Sequence, residues 1–328
     1  SIFLGEELED ILTAIKKGSA YNAKAHDELK IGVSVLPPIP KDTTDRNRTS
    51  PFAFTGNKFE FRMVGASENI GCPNFILNTI VAEELCLFAD RLEKAADFNA
   101  ELNKLIKDTI TEHSKILFSG NSYSDEWKSV AKKRGLLNLE STVDALPYYV
   151  SKKNVELFSK HGVLSKSEMT SRMNILLENY YNIIHIEALT ALDMANKQIT
   201  PAIVGYQRFL LKEINAKKEL EDFIKYFSAK DKEISKRWGT IKSGLERGVF
   251  KKINDLAASF ADAVDKLDAD IKEFEKHKTD IGKAKYCKQT LIPDMLKLRE
   301  SADKIELLLG KDFQPFPTYD DILYSVRY

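Results

Sequence analysis

Between residues 253 and 274 the apolar side chains Ile253, Leu256, Phe260, Val264, Leu267, Ile271 and Phe274 recur at steps of three or four. Such steps keep one side of an α-helix apolar. Sustained over about three heptads, they make a coiled-coil-like seam that must be covered. A chain holding this seam folds around long helices. The expected cover is the second arm of a helical hairpin in the same chain, either residues 223–238 or residues 291–308. A seam for a second subunit is the alternative.

The chain reads as helix almost throughout from residue 74. An apolar-periodic run covers residues 75–96, and a second passes through Leu102, Ile106 and Ile110 to about residue 117. Ser124 is placed to cap a helix over 125–134, and Ser151 one over 152–161, with a short helix over 142–150 between them. Ser165 and Glu168 have capping-box spacing at the head of a long helix, which is expected to stop at about Gln198 because Pro201 follows. An aromatic–proline stretch, residues 313–319, precedes a short final helix from Asp320.

Strand and turn signals are confined to residues 1 to about 72. Residues 2–4 are a short apolar run, and Leu8, Ile11, Leu12 and Ile15 have helical spacing closed by Gly18. Residues 31–36 alternate up to Pro37-Pro38, and Phe52–Phe54, Thr55-Gly56-Asn57 and Lys58 onward form a hairpin pattern. The fold class is therefore α+β and predominantly α: a short antiparallel β portion followed by a long-helix domain. The chain starts at Ser1 without Met, and residues 2–4 read as the middle of a strand, as expected of a piece of a longer protein.

Composition removes several function classes. Lys+Arg and Asp+Glu balance at 49 each in 328 residues, so no electrostatic footprint points to nucleic acid or an anionic membrane. Cys72, Cys86 and Cys287 lie far apart without metal spacing, which suits reduced thiols in a cytoplasmic protein. The five histidines form no paired motif. No signal-peptide pattern opens the chain, and no run is expected to reach the roughly 20 apolar residues of a membrane span.

One constellation could carry chemistry. In Lys58-Phe59-Glu60-Phe61-Arg62-Met63 the period of a strand puts Lys58, Glu60 and Arg62 on one face and the apolar residues on the other. The apolar face is expected to pack into a core. The polar face then offers a cation, a carboxylate and a guanidinium in a row of about 13 Å. Glu60 could ligate a hard divalent metal, Arg62 could clamp a carboxylate, and Arg48 in the preceding loop could join them at a phosphate. The same alternation also marks a solvated strand with cross-strand ion pairs, and pattern alone leaves both readings open.

Asn47-Arg48-Thr49-Ser50 followed by Lys58-Phe59-Glu60-Phe61-Arg62 resembles the substrate-binding segment of the glutamine synthetase catalytic domain. Residues 52–65, Pro73-Asn74, residues 77–84, 120–127, 142–147 and 315–319 are similar to the type III branch of that family, in the family's order. The resemblance implies that residues 1–96 end the catalytic domain and that residues 97–328 form the helical C-terminal domain of type III enzymes. It also implies an ATP-dependent glutamate–ammonia ligase using Mg2+ or Mn2+, acting through γ-glutamyl phosphate in a homo-oligomer, a dodecamer of stacked hexamers. Glu60 matches the metal-binding glutamate and Arg62 the arginine that contacts glutamate. Arg48 matches the arginine that steadies the transferred phosphate, and Lys58 stands where shorter members have an arginine near the nucleotide. Ala53 falls near the place of a second arginine in shorter enzymes, a departure from their pattern. The remaining metal ligands and the adenine pocket belong, in the family, to a segment preceding Ser1, so this chain alone is expected to be inactive. Two further readings are a non-catalytic helical scaffold derived from the family and a γ-glutamyl-amine ligase. Retention of Arg48, Glu60 and Arg62 together disfavours the scaffold. The type III motifs disfavour the related ligase.

Overall fold

The computed structural model describes residues 1–21, 28–29, 39–40, 50–62, 65, 68–230, 233 and 243–325. The strand expected over 31–36 and the loop that carries Arg48 lie outside the described residues, as does most of 231–242.

Local signals set the first elements. Strand β1 (Ile2–Phe3) is followed by α1 (Glu6–Lys17), which ends on Gly18 in the left-handed conformation, φ 67°. There the Gly18 and Ser19 amides return to the carbonyls of Ile15 and Ala14, satisfying two helix-end acceptors. Two-residue strands β2 (Glu28–Leu29) and β3 (Ile39–Pro40) pair antiparallel. Strands β4 (Phe52–Phe54) and β5 (Phe59–Phe61) form the expected hairpin, with the Thr55 amide donating to the Lys58 carbonyl at 2.8 Å. Gly56 takes φ 89° in that turn, a conformation that glycine adopts without the Cβ penalty. Strand β1 adds to β4 in parallel, giving the order β1-β4-β5 with Phe3 opposite Ala53 and Ala53 opposite Glu60.

The contacts divide the chain into two compact units, residues 1–141 with 148–169, and residues 142–147 with 170–328. The first unit continues with α2 (Gly71–Leu92), α3 (Phe98–His113), α4 (Asp125–Lys133) and α6 (Lys152–Lys160). Helix α5 (Thr142–Tyr149) and the head of α7 (Lys166–Met194) straddle the divisions. Ser124 caps α4 through the Trp127 amide, as its position predicts. Ser165 and Glu168 close the expected capping box: the Ser165 amide donates to Glu168 Oε2 at 2.7 Å and the Glu168 amide to Ser165 Oγ at 3.3 Å. Ser151 sits at its N-cap position but makes no side-chain capping bond. Helix α2 corrects the expectation about membrane spans: its 22 residues are long and apolar enough to cross a bilayer by length and composition. Its Glu83 is held by Lys160 at 2.8 Å and His161 at 2.7 Å, and its Phe75 and Ile76 pack on the buried cluster of Phe158, Leu164 and Met169.

In the second unit the helix from Ser165 does not stop before Pro201. It passes through a π-turn, Ala195–Ile199, and continues as α8 (Thr200–Ser228). The same device recurs where α10 (Asp280–Tyr286) passes through the π-turn Cys287–Leu291 into α11 (Ile292–Glu306), which contains Pro293. Both prolines stand two residues after the π-turn. A proline deprives the carbonyl four residues back of its donor and crowds it, and a local shift to wider hydrogen bonding relieves the crowding without ending the helix.

The seam lies on α9 (Gly244–Phe274), and its cover comes from this chain. Helix α9 packs on α11 and on α8, with Ile253, Phe260, Leu267 and Phe274 buried. Leu177, Ile203, Leu291 and Ile305 complete the same core. Of the two expected partners, 291–308 is the arm used. The second contact falls on α8, and Trp238 lies outside the described residues.

Candidate functional site

The structure brings Lys58, Glu60 and Arg62 together on one face of β5 and its flanks. Arg62 donates from Nε at 3.2 Å and from Nη2 at 2.9 Å, both to Glu60 Oε2. Lys58 Nζ lies 3.7 Å from the other oxygen, Oε1, and Thr55 Oγ1 lies 3.4 Å from it. The hydrogen bond from Arg62 holds the Glu60 carboxyl below the usual glutamate range, and the charges of Arg62 and Lys58 act in the same direction. Glu60 is thus kept ionised, with one oxygen committed to the guanidinium and the other in looser contact. Thr55 was not singled out by the sequence. Its position across the hairpin turn from Glu60 is the signal that could have found it, since paired strands bring such residues within reach.

The opposite face differs from expectation. Phe59 and Phe61 are 50% and 39% exposed, so the aromatic face is not packed into a core among the described residues. The rings cover one another instead: Phe52 stacks on Phe59 at 5.4 Å, Phe54 lies 5.2 Å from Phe59, and Phe61 meets Phe52 edge-on at 6.1 Å. The buried groups of the sheet are Phe3, Ala53 and Ser50, whose hydroxyl donates to the Phe52 carbonyl at 2.9 Å. Ala53 and Glu60 are paired residues and share a face, which makes the charged face the better sheltered of the two.

A divalent cation would find one hard oxygen ligand in Glu60. No group of three or more His, Cys, Asp or Glu side chains able to hold a metal occurs among the described residues. The residues described therefore do not make a metal site by themselves. Their arrangement can present a fixed anion flanked by cations, which suits binding of an anionic substrate beside a shared cation.

Comparison with known proteins supplies what geometry leaves open. A model of the glutamine synthetase C-terminal domain matches residues 101–218, and the chain belongs to the glutamine synthetase family. Within that family it is 37% identical over 327 residues to the type-3 glutamine synthetase of Dictyostelium discoideum, spanning 99% of this chain and 43% of that protein. It is 37% identical to a glutamine synthetase of Butyrivibrio fibrisolvens over the whole chain and 44% of that protein. A glutamine synthetase of Bacteroides fragilis is 30% identical across 99% of this chain and 44% of its own length. The chain spans less than half the length of each of these relatives.

Proposed function

We propose that the whole protein is an ATP-dependent glutamate–ammonia ligase and that this chain supplies one wall of its active site. The observation that carries this is the Glu60–Arg62 pair, held on one strand with Lys58 alongside, in a chain aligned end to end with glutamine synthetases. In this reading the γ-phosphoryl group of ATP passes to the side-chain carboxylate of glutamate. Ammonia then attacks that acyl carbon, forming the C–N bond and releasing phosphate. Fixed positive groups beside the moving phosphoryl lower the barrier, because they meet charge where it develops without reorganising.

Glu60 would serve as one ligand of a Mg2+ or Mn2+ ion whose other ligands come from a part of the protein outside this chain. Arg62 would hold the glutamate substrate. Arg48 would steady the transferred phosphoryl group, and Lys58 would lie near the nucleotide phosphates as a point charge, without the planar fork of an arginine. Residues 1–96 would then close the catalytic domain, and residues 97–328 would be the helical C-terminal domain, in keeping with the family match over 101–218. The ligase would work in the cytoplasm as a homo-oligomer, a dodecamer of stacked hexamers.

The test uses the full-length enzyme. Glu60→Gln keeps the shape of the side chain and removes its charge, and is expected to lower glutamine formation by about two orders of magnitude or more. The 328-residue chain alone is expected to form no glutamine from glutamate, ATP and ammonia. Robust synthesis by that chain, or a full-length Glu60→Gln enzyme with unchanged rate, overturns the reading.

A further inference from the structure

A cavity of about 300 Å³ opens between α8 and α9, beside the π-turn Ala195–Ile199. Turns of this kind occur often at functional sites. The floor of the cavity is apolar: Ile203, Phe260 and Val264 line it and belong to the buried core of the second unit. Three oxygen-bearing side chains stand around that floor. They are Asn196 from the π-turn, Thr200 from the head of α8 and Asp265 from α9. None of the three has a hydrogen-bond or ion-pair partner among the described residues. Gln207 also lines the cavity, but its amide is committed to Asn254 at 3.3 Å.

The π-turn accounts for one of these open groups. A helical threonine commonly returns its hydroxyl to the carbonyl four residues back, and Thr79, Thr111 and Thr190 each do so. Thr200 makes no such bond. Its amide reaches back five residues, to the Ala195 carbonyl, so the backbone at this point is wound more widely. The hydroxyl is left on the wall of the cavity.

We propose that this cavity binds a small primary amine in its ammonium form, with a compact apolar body. A primary ammonium carries three N–H donors and no acceptor, and the wall offers three oxygens without partners. Among the described residues, Asp265 is the one charged side chain in that wall, so the charge the cavity complements is positive. The floor of Ile203, Phe260 and Val264 takes the apolar body. An inorganic cation fits poorly, because it would find a single carboxylate and would hold its water shell against buried apolar side chains. The volume lies at the small end of the range for ligand pockets, on the order of 300–1,000 Å³, which suits a compact molecule. None of these residues belongs to the β1-β4-β5 sheet, so the proposal stands apart from the ligase reading.

Calorimetric titration of the full-length protein with phenethylamine, without ATP or glutamate, tests this. Binding is expected with a dissociation constant below about 1 mM. Phenethyl alcohol has the same apolar body without the charge and is expected to bind at least about tenfold more weakly. Asp265→Asn is expected to weaken amine binding at least about tenfold, and Thr200→Val about threefold. Ala261→Trp fills the groove from its rim without touching the three oxygens and is expected to abolish binding. Three outcomes each overturn the proposal: no binding of the amine, equal binding of amine and alcohol, or amine binding unchanged in both Asp265→Asn and Ala261→Trp. The alcohol comparison needs no substitution, so it decides the question even where a variant disturbs folding.

Discussion

Strand β5 and helix α9 both carry apolar residues at the period of their element, yet the two patterns end differently. On α9, Ile253 and Leu267 are fully buried, because α8 and α11 of the same chain cover that face. On β5, Phe59 and Phe61 keep much of their surface in solvent and contact chiefly the neighbouring phenylalanines of β4. Periodicity therefore states which face is apolar, and says nothing about whether the cover lies in the same chain. The second unit closes its own core. The sheet of the first unit leaves much of its apolar face uncovered among the described residues.

The sharpest way to break this contrast is to delete volume in each region. Leu267→Ala is expected to cost about 2–5 kcal/mol in urea unfolding, since it empties a space closed on all sides. Phe59→Ala in this chain is expected to cost less than about 1 kcal/mol, because half its surface is already in water. In the full-length protein the same substitution is expected to cost about 3 kcal/mol if the aromatic face is buried there. An equal, small cost in both contexts makes that face true surface and removes the contrast.

A second contrast concerns charge. Glu60 is held below its usual range by cations on an accessible strand, whereas Asp294 lies in the interior of the second unit, and burial first and Asp270 next push it up. Asp294 Oδ2 is buried and accepts no hydrogen bond, with Lys266 Nζ at 3.6 Å. Lys266 is closer to Asp270, at 2.6 Å, and Tyr286 donates to Asp270 Oδ1 at 3.2 Å. Burial opposes ionisation of Asp270 too, but the hydrogen bonds from Asp294, Lys266 and Tyr286 outweigh it and hold its carboxyl down. Asp294 is therefore the carboxyl of the two that takes up a proton first as pH falls.

The folded state then binds that proton more tightly than the unfolded chain does. The stabilisation from Asp294 is complete below the unfolded value near 4 and is lost as pH rises through the raised folded value. Asp270 acts in the opposite sense, in a more acidic window, and its contribution is lost as pH falls. Asp294→Asn, whose amide can donate to Asp270 at any pH, is expected to flatten the decline above about pH 4. Thermal midpoints recorded from acid to neutral pH check this, and a decline identical to that of the parent chain rules out Asp294 as its source. No such decline is expected from Glu60, whose contribution is lost on acidification.

What the sequence made legible followed from short-range physics. Gly18 ending α1, Ser124 heading α4, the Ser165–Glu168 box and the 253–274 seam each rest on contacts within one or two helical turns. So does the shared face of Lys58, Glu60 and Arg62. What escaped depends on distant partners or on adjustments with no local marker. Pro201 reads as a helix stop because a π-turn leaves no mark in composition. Asp294 carries no signal in the sequence, because its burial depends on α9 packing against α11. The exposure of Phe59 was hidden for the same reason: the strand pattern is complete whether or not a cover is present. Lys266 and Asp270, four residues apart on α9, were the available hint of a polar contact beside the seam.

The smallest expected effect separates a cap that is formed from one that is only placed. Ser165 and Ser151 both precede helices, and both read as N-caps in the sequence, but only Ser165 makes the bonds. Ser165→Ala removes an acceptor for the Glu168 amide and a donor to its carboxylate, and is expected to cost about 1 kcal/mol. Ser151→Ala removes no capping bond and is expected to cost at most a few tenths, about 0.3 kcal/mol. Parallel urea titrations of the two variants measure the difference directly. Equal losses show that Ser151 forms its cap in solution, and the head of α6 then depends on local capping as the head of α7 does.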